Sequence, residues 1–296
     1  METGLKHGLG GYRPAMVDML AWGFGLIEGP RPDAEGNLYF SDVTRGGVHR
    51  LAPDGSVSVA VPKRRGVGGI ALHADGGLVL SGRNVCHVRD GETRIVFELP
   101  DVGGFNDLFT DASGRVYVGS LRDDPFSVGE ERKAGEAYRI DTDGEVKQIY
   151  GEVGLTNGIG FSPDGRRIYH SDSAIQSILV HSIDEHGEVD PASRAVFARV
   201  KGGVPDGLAV DADGGVWVAV YGGSRVERFA PDGTSDRSVA VPAEAVTSLV
   251  FAGPDLADLI VVSADNTEHP EREGTVFLVP SAEVGARGLP APLARV

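Results

Sequence analysis

Four oxygen-bearing side chains occupy the same place in a repeated sequence pattern, each eight residues before a glycine that ends a predicted turn. They are Glu28, Asn106, Asn157 and Asp206. Two carboxylates and two carboxamides form the oxygen-rich donor set that hard divalent cations prefer. If the repeated position faces one common axis, the sequence predicts a site for one divalent cation. Ca²⁺ is the expected ion, and Mg²⁺, Mn²⁺, Fe²⁺ and Zn²⁺ are the alternatives.

The repeats that carry these residues combine a short turn ending in glycine with a run of alternating apolar residues. The five clear copies are PDAEGNLYFSD (32–42), LHADGGLVLSG (72–82), TDASGRVYVGS (110–120), SPDGRRIYHSD (162–172) and VDADGGVWVAV (210–220). Their turn glycines are separated by 40, 38, 51 and 49 residues, and they are Gly36, Gly76, Gly114, Gly165 and Gly214. A degenerate sixth copy spans 251–265.

A second turn follows each copy, so each repeat predicts four antiparallel strands. Four-stranded units of about 40–50 residues are typical of β-propeller blades, which bury their faces against one another. We therefore predict an all-β, six-bladed β-propeller with four antiparallel strands per blade, forming a single domain over residues 1–296. The C-terminal stretch GLPAPLARV is a poor strand, so we expect an N-terminal segment to complete the last blade.

The first strand of every propeller blade lines the central channel, so equivalent positions form a ring around the axis. The competing interpretation is that Asn157-Gly158 and Asp206-Gly207 are ordinary turn dipeptides. A second turn follows each of them after only a short apolar run, and Glu28-Gly29 shares the register without being a favoured turn. A shared site explains both facts. The second repeat has Gly68 at this position, and the sixth offers a hydroxyl at 247 or 248.

The composition argues against several classes of partner. The 296 residues carry a net charge of −15 with scattered Lys and Arg, which disfavours nucleic acids and anionic membranes as partners. The single cysteine, Cys86, excludes an internal disulfide and is expected to pack in a strand. The sequence has no run of about 18 apolar residues and no leader-like pattern in METGLKHGLGGYRP, so we expect a soluble cytoplasmic protein.

Other catalytic signatures are weak. The sequence has no HExxH pair and no G-x-S-x-G turn, which disfavours a zinc protease and a serine hydrolase. His170 and His181 are expected to be structural, and Asp172 is expected to serve a turn or a supporting contact. The charged segment LRDDPFSVGEERKAGE (121–136) interrupts the third blade, and it is either a solvated insertion or a binding loop.

Four motifs carry a resemblance to a known family. The segments LIEGPRPDAEGNLYFSD, GGFNDLFTDASGRVYVGS, LTNGIGFSPDGRRIYHSDS and VPDGLAVDADGGVWVAVYGGSRVERF resemble the regucalcin/gluconolactonase family of six-bladed β-propellers. The resemblance is specific because the four motifs occur in order, each in its proper repeat, and it extends over about residues 24–280. It implies a divalent-metal-dependent lactonase. A related branch of phosphotriesterase-type hydrolases shares the scaffold.

The resemblance also implies roles for individual residues. Carried over position by position, the family's metal ligands fall on Glu28, Asn157 and Asp206. Its substrate-binding asparagine falls on Asn106, and in some relatives the equivalent residue ligates the metal directly.

Two positions depart from the family's pattern. The family's arginine two residues before the substrate-binding asparagine falls on Gly104, so this chain lacks the arginine side chain at that position. Its acidic substrate-contacting residue falls near Asp124, which has a shorter side chain and lies in the 121–136 segment. Both departures weaken the expectation of an aldonolactone substrate, and they leave the predicted metal site intact.

Lactone hydrolysis needs a polarised carbonyl, a water nucleophile and a group that stabilises the oxyanion. A bound divalent cation can polarise the carbonyl and stabilise the negative charge. The resemblance assigns the general base to Asp206, which would take a proton from the attacking water. Because coordination lowers the pKa of a carboxylate and weakens it as a base, hydroxide bound to the metal is the alternative nucleophile.

Three functions follow from these observations. The leading hypothesis is a metal-dependent lactonase or related ester hydrolase that acts on a sugar lactone or another small lactone. The first alternative is a phosphotriesterase-like hydrolase. The second is a non-enzymatic propeller that serves as a binding platform and holds a structural metal.

Overall fold

The strands of the protein form the blades of a β-propeller. The computed structural model describes residues 17–124 and 133–296. Its strands form six antiparallel sheets of four strands each, which confirms the predicted six-bladed β-propeller. The first strands of neighbouring blades contact one another around a closed ring, so they line one central channel. These first strands, one in each blade, are here called the inner strands.

The first three blades follow one another along the chain. Blade one contains β2 (Ile27–Pro32), β3 (Leu38–Asp42), β4 (Val48–Leu51) and β5 (Val57–Val61). Blade two contains β6 (Ile70–Leu72), β7 (Leu78–Leu80), β8 (Val85–Arg89) and β9 (Glu92–Phe97). Blade three contains β10 (Gly104–Thr110), β11 (Val116–Leu121), β12 (Gly135–Ile140) and β13 (Val146–Val153).

The remaining blades complete the ring. Blade four contains β14 (Thr156–Phe161), β15 (Arg167–Asp172), β16 (Ser177–Ile183) and β17 (Val189–Arg199). Blade five contains β18 (Val204–Val210), β19 (Val216–Tyr221), β20 (Arg225–Phe229) and β21 (Ser235–Ala240). Blade six contains β22 (Val246–Ala252), β23 (Asp258–Ser263), β24 (Gly274–Val279) and, as its outer strand, β1 (Asp18–Phe24).

The sixth blade is completed from the start of the chain. Strand β1 pairs antiparallel with β24, and this register includes Trp22 opposite Thr275. The expectation that an N-terminal segment completes the last blade is therefore confirmed. A ring closed in this way ties together two segments that are far apart in sequence, so the blades cannot separate without breaking a sheet.

Across residues 17–124 and 133–296, helical structure is limited to three short pieces. Two 3₁₀ turns span Ser173–Ile175 and Pro270–Arg272, and one α-helix, α1, spans Ser281–Val284. Within the described ranges, no helix is long and apolar enough to cross a membrane.

The apolar core lies between blades. Trp217, Phe105 and Phe40 are each fully buried where the face of one blade packs on the next. Outer strands lack a neighbour on one side, and Val59 in β5 is correspondingly 59% exposed. Cys86 is buried in β8, as expected for a thiol that packs in a strand.

The two Asp-Gly pairs of the fifth repeat have different structures. The pair at 213–214 lies in the hairpin turn between β18 and β19, where Gly214 has a φ of 82°. Asp211 supports this turn, because its carboxylate accepts hydrogen bonds from the backbone N–H of Gly215 at 2.7 Å and from Trp217 Nε1 at 2.9 Å. Asp206-Gly207 lies inside β18, so it is no hairpin turn.

The C-terminal tail crosses one end of the channel. After α1, Gly288 forms a β-bridge with Asp211, in the β18–β19 hairpin of blade five. Ala294 forms a parallel bridge with His73 in blade two, and the N–H of Arg295 donates to the carbonyl of Gly114 at 2.9 Å. Blades five and two face each other across the ring, so residues 289–293 span the channel end on the side of the hairpin turns.

Candidate functional site

Irregular pairing in the inner strands directs the predicted site residues. The register between β10 and β11 breaks between Phe105 and Leu108, and the register between β18 and β19 breaks between Pro205 and Leu208. Strand β14 has the equivalent break after Thr156. A bulge of this kind interrupts the alternation of a strand and re-aims its side chains. The three breaks contain Asn106 in β10, Asp206 in β18 and Asn157 in β14.

Blade one has a similar register break, which begins just after the predicted site residue. Glu28 still pairs with Ser41, and the register breaks immediately afterwards, at Gly29 and Pro30. The Glu28 carboxyl is buried, and the negative charge of Asp206 raises its pKa, so the two carboxyl groups lie near each other. The structure thus brings the four predicted residues to one level of the ring.

The two asparagines are in direct contact. The side-chain nitrogen of Asn106 donates to Oδ1 of Asn157 at 3.1 Å and to the carbonyl of Thr156 at 2.9 Å. Both amide hydrogens of Asn106 are therefore used inside the protein, and its Oδ1 is the polar atom left to meet a ligand. Asn157 is held from the other side, since its nitrogen donates to Oγ of Ser173 at 3.2 Å.

The two carboxyl groups are buried and repel each other. Glu28 is 7% exposed and Asp206 is 6% exposed. Burial, followed by the negative charges of Asp206 and Asp107, raises the pKa of Glu28 well above its ordinary value. Burial, followed by the charge of Asp107, likewise raises the pKa of Asp206, against hydrogen bonding from the Gly207 backbone and the Asn157 side chain.

These residues fit a divalent cation. Oδ1 of Asp206 is fully buried and has no hydrogen-bond partner in the described part of the chain. A buried acceptor without a partner, beside a second buried carboxylate, is an arrangement that a cation stabilises. No three Asp, Glu, His or Cys side chains in the described ranges converge as a metal-binding group. A cation here would therefore need the amide oxygen of Asn157 besides Glu28 and Asp206.

Asp107 is a site residue that the sequence analysis missed. Its carboxyl is 8% exposed, and burial raises its pKa to about 7 although the nearby Arg31 guanidinium opposes the shift. Asp107 occupies the position that is glycine in blades one, four and five, seven residues before the turn glycine. That departure from glycine was the available signal. It places a third acidic group beside the two carboxyls of the candidate metal site.

The glycines at this level permit close packing between inner strands. A Cβ at Gly158 would collide with the backbone nitrogen of Leu208 in the next blade. A Cβ at Gly68 would collide with Oδ1 of Asn106. Gly68 has no side chain that could serve as a ligand in the predicted ring. It instead provides the space that the Asn106 side chain fills.

The remaining predicted contact lies at the edge of the described structure. Asp124 is exposed and follows β11, and residues 125–132 of the 121–136 segment lie outside the described residues. The two flanks of that segment are joined by an ion pair, with Arg122 Nη2 2.6 Å from Glu136 Oε1. Gly104 begins β10 with a φ of 154°, and as a glycine it has no side chain that could take the place of the family's arginine.

Three other side chains singled out in the sequence have structural contacts. Burial lowers the pKa of His170 to about 3, and its Nδ1 lies 3.0 Å from the hydroxyl of Tyr150. His181 stacks on the same tyrosine ring. Asp172 accepts hydrogen bonds from the backbone N–H groups of Gly154 and Leu155 at 2.8 and 3.0 Å, so it supports the turn that leads into β14.

Comparisons with known proteins agree with this architecture. Residues 26–265 match the family model described as SMP-30/Gluconolactonase/LRE-like region. The chain is 34% identical over 245 residues to Pentonolactonase XacC of Haloferax volcanii, covering 81% of each protein. It is 32% identical over 273 residues to 6-deoxy-6-sulfogluconolactonase of Pseudomonas putida, covering 86% of this chain and 90% of the relative.

A solved structure shares the fold over nearly the whole chain. The calcium-binding protein regucalcin of Agrobacterium tumefaciens superposes with a TM-score of 0.83 at 24% identity, covering 96% of this chain and 98% of the other. The matched model includes all four predicted site residues. The protein therefore belongs to the SMP-30/gluconolactonase/LRE-like family.

Proposed function

We propose that this protein hydrolyses a small lactone with the help of one divalent cation, for which Ca²⁺ is the leading candidate, held by Glu28, Asn157 and Asp206. The relatives named as a pentonolactonase and a 6-deoxy-6-sulfogluconolactonase support the reaction class. The observation that carries the proposal is the proximity of two buried carboxyl groups and a hydrogen-bonded amide, which come from the inner strands β2, β18 and β14.

The chemistry divides between the cation and the protein. A cation bound there supplies positive charge that polarises the lactone carbonyl and stabilises the developing oxyanion. Asp206 acts as general base and accepts a proton from the attacking water. Glu28 and Asn157 supply the other two oxygens that would hold the cation.

Asn106 defines what a substrate must offer. Its amide hydrogens are used on Asn157 and on the Thr156 carbonyl, so Asn106 can meet a substrate only as a hydrogen-bond acceptor through Oδ1. A lactone with a free hydroxyl beside the ester carbonyl satisfies this requirement. Asp124, at the channel edge, is proposed to accept from a second hydroxyl farther from the ester. Because Gly104 stands where the family has an arginine, the site has one polar side chain fewer, which favours a substrate with less polar surface than an aldonolactone.

The deciding experiment is lactone hydrolysis by metal-stripped protein, re-tested with Ca²⁺, Mg²⁺, Mn²⁺, Fe²⁺ and Zn²⁺ in turn. The assay follows acid release from D-glucono-1,5-lactone, from an α-hydroxy-γ-butyrolactone and from unsubstituted γ-butyrolactone. We expect no activity in the stripped protein, recovery with at least one ion, and preference for the hydroxylated lactones. Glu28→Gln should lose ion-dependent activity, and the exposed Glu35→Gln provides the matched control.

The alternatives give different results in the same assay. A phosphotriesterase-like hydrolase would turn over a phosphotriester such as paraoxon faster than every lactone. A binding platform with a structural metal would bind the ion and gain thermal stability from it while hydrolysing none of these substrates. Either result would reject the lactonase proposal.

A further inference from the structure

A second chamber lies in the channel beyond the candidate active site. It is a cavity of about 1430 Å³, and its lining begins at Gly29 and Asp107, the residues that directly follow Glu28 and Asn106. From there it extends to the hairpin turns at the opposite end of the channel and to the tail residues 289–293. None of the four predicted site residues lines it. The chamber therefore adjoins the candidate active site through Asp107 but is lined by none of the proposed ligands, and no role has yet been given to it.

One buried cation faces this chamber. Arg31 is 8% exposed, its Nε donates to the carbonyl of Ile70 at 2.9 Å, and its guanidinium carbon lies 5.2 Å from the centre of the Phe109 ring. Within the described ranges, its two Nη atoms form neither a hydrogen bond nor an ion pair with a protein group. Asp107 is the nearby acidic side chain, but it is not in ion-pair contact with Arg31.

The Arg31 Nη atoms are open to the chamber, so they can donate hydrogen bonds to an occupant. The planar fork of N–H donors of a guanidinium matches a carboxylate, which can accept two parallel hydrogen bonds. Nε and the Phe109 ring fix the plane of the group, so the Nη edge is already oriented toward the chamber. The polar end of the chamber thus suits an organic anion.

The walls of the chamber are largely apolar. Leu72, Phe109, Phe161 and Val210 come from four different inner strands, line the cavity and are each partly exposed. Partly exposed apolar side chains in a concave chamber are the usual lining of a site for an apolar ligand body. The volume exceeds the roughly 300–1,000 Å³ of ordinary small-molecule pockets, so an extended chain fits.

The C-terminal tail covers the outer end of this chamber. Residues 289–293 bridge between the anchored Gly288 and Ala294, and in the described structure their backbone groups form no hydrogen bonds with the rest of the protein. Leu289 and Leu293 are 41% and 43% exposed and also line the cavity. The tail therefore supplies further apolar contact surface that can adjust to an occupant without breaking a sheet.

We propose that this chamber is a second binding site, specific for an amphipathic carboxylate whose head group binds Arg31 and whose aliphatic chain lies along the apolar walls toward the tail. The negative charge of Asp107 and the acidic residues of the hairpin turns oppose an anion, so we expect moderate affinity that rises when salt screens them. The proposal is independent of the proposed lactonase activity, because it concerns residues that the reaction does not use.

The test is calorimetric titration of the whole protein with octanoate, with octanamide as the neutral analogue and with octylammonium as the cationic one. We expect saturable one-to-one binding of octanoate and at least tenfold weaker binding of the other two. Arg31→Met keeps an unbranched apolar stem and removes the charge, so it should weaken octanoate at least tenfold and leave octanamide unchanged. The matched control is Arg89→Met, which removes an exposed arginine on β8. Equal affinity for octanoate and octanamide, or unchanged octanoate binding in Arg31→Met, would overturn the proposal.

A second measurement locates the ligand without any substitution, in case Arg31→Met does not fold. Hydrogen exchange with and without saturating octanoate should show protection in peptides that cover β2 and residues 285–296. Protection confined to peptides around Asn157 and Asp206 would place octanoate in the candidate active site and reject a second one. Absence of binding by the folded wild-type protein up to millimolar octanoate would also reject it.

Discussion

Ser173 determines the direction in which the side-chain amide of Asn157 points. The hydroxyl of Ser173 donates its hydrogen to the carbonyl of Pro205 at 2.6 Å, so its oxygen can only accept from Asn157 Nδ2, which lies 3.2 Å away. The amide nitrogen of Asn157 is thereby held by Ser173, which leaves the amide oxygen as the atom available to a cation. A single hydroxyl thus links the start of β18, which carries Asp206, to the orientation of a proposed metal ligand.

Ser173→Ala should weaken cation binding without removing any ligand. Loss of a residue that orients a ligand typically costs about 10–100-fold in metal affinity. We expect a loss in this range when Ca²⁺ binding is measured by calorimetry. Ser171→Ala is the matched control, because the Ser171 hydroxyl is buried nearby and has no hydrogen-bond partner in the described structure. Equal affinity in the two variants would show that the Ser173 contact does not orient Asn157.

Asp206→Asn should abolish most lactonase activity. The amide retains an oxygen but removes both the negative charge and the proposed base, so we expect a loss of roughly 10²–10⁴-fold in kcat. The loss should persist at saturating cation, because the defect is in proton transfer. Asn157→Asp, which adds charge to the same shell and leaves Asp206 intact, is the comparison variant. Activity that returns simply on adding more cation would make Asp206 an ordinary ligand.

The cation-free protein should lose stability as the pH rises. Burial raises the pKa of Asp107 to about 7 from an ordinary value near 4, and Glu28 and Asp206 shift in the same direction. These three groups then bind more protons in the folded state than in the unfolded state, so the stability that they contribute is greatest below about pH 4 and falls as the pH rises toward 7. Arg31 opposes the shift of Asp107 but does not reverse it.

Denaturant unfolding in EDTA between pH 4 and 8 measures this dependence. Asp107→Asn should flatten the decline, both by removing one titrating group and by removing a negative charge that acts on Glu28 and Asp206. Saturating Ca²⁺ should oppose the decline in the wild type, because the ionised carboxylates then have a partner. A stability profile that rises between pH 4 and 7 in the absence of cation would contradict the expected burial of these groups.

Gly68→Ala should impair the site from a blade that contributes no ligand. The added Cβ would collide with Oδ1 of Asn106 and press on the Asn106 backbone, so the Asn106–Asn157 hydrogen bond should be displaced. We expect at least a tenfold drop in kcat/KM together with a lower Tm. Gly151→Ala is the control, since a Cβ there meets its nearest atoms at 3.6 Å and beyond. Similar kinetics for both variants would show that the space at Gly68 is not needed to position Asn106.

Much of the architecture follows from local sequence signals. The turn glycines at 38–51-residue intervals, each followed by an alternating run, determine six four-stranded blades, because such units bury their faces only against one another. Counting back from those glycines also placed Glu28, Asn106, Asn157 and Asp206 at one level of the inner strands. This works because turn position and strand register are local properties.

The tertiary structure alone decided which groups surround those residues. Asp107 acts on Glu28 and Asp206 from another blade, and the Ser173 hydroxyl joins Asn157 of blade four to Pro205 of blade five. Arg31 faces a chamber that exists only once the ring has closed. The path of residues 289–293 across the channel depends on anchors in blades two and five, which are distant in sequence. Register within a hairpin is set by nearby residues, whereas contacts between blades depend on bulges and ring closure. Those contacts leave no periodic signal in the chain, because each is made once.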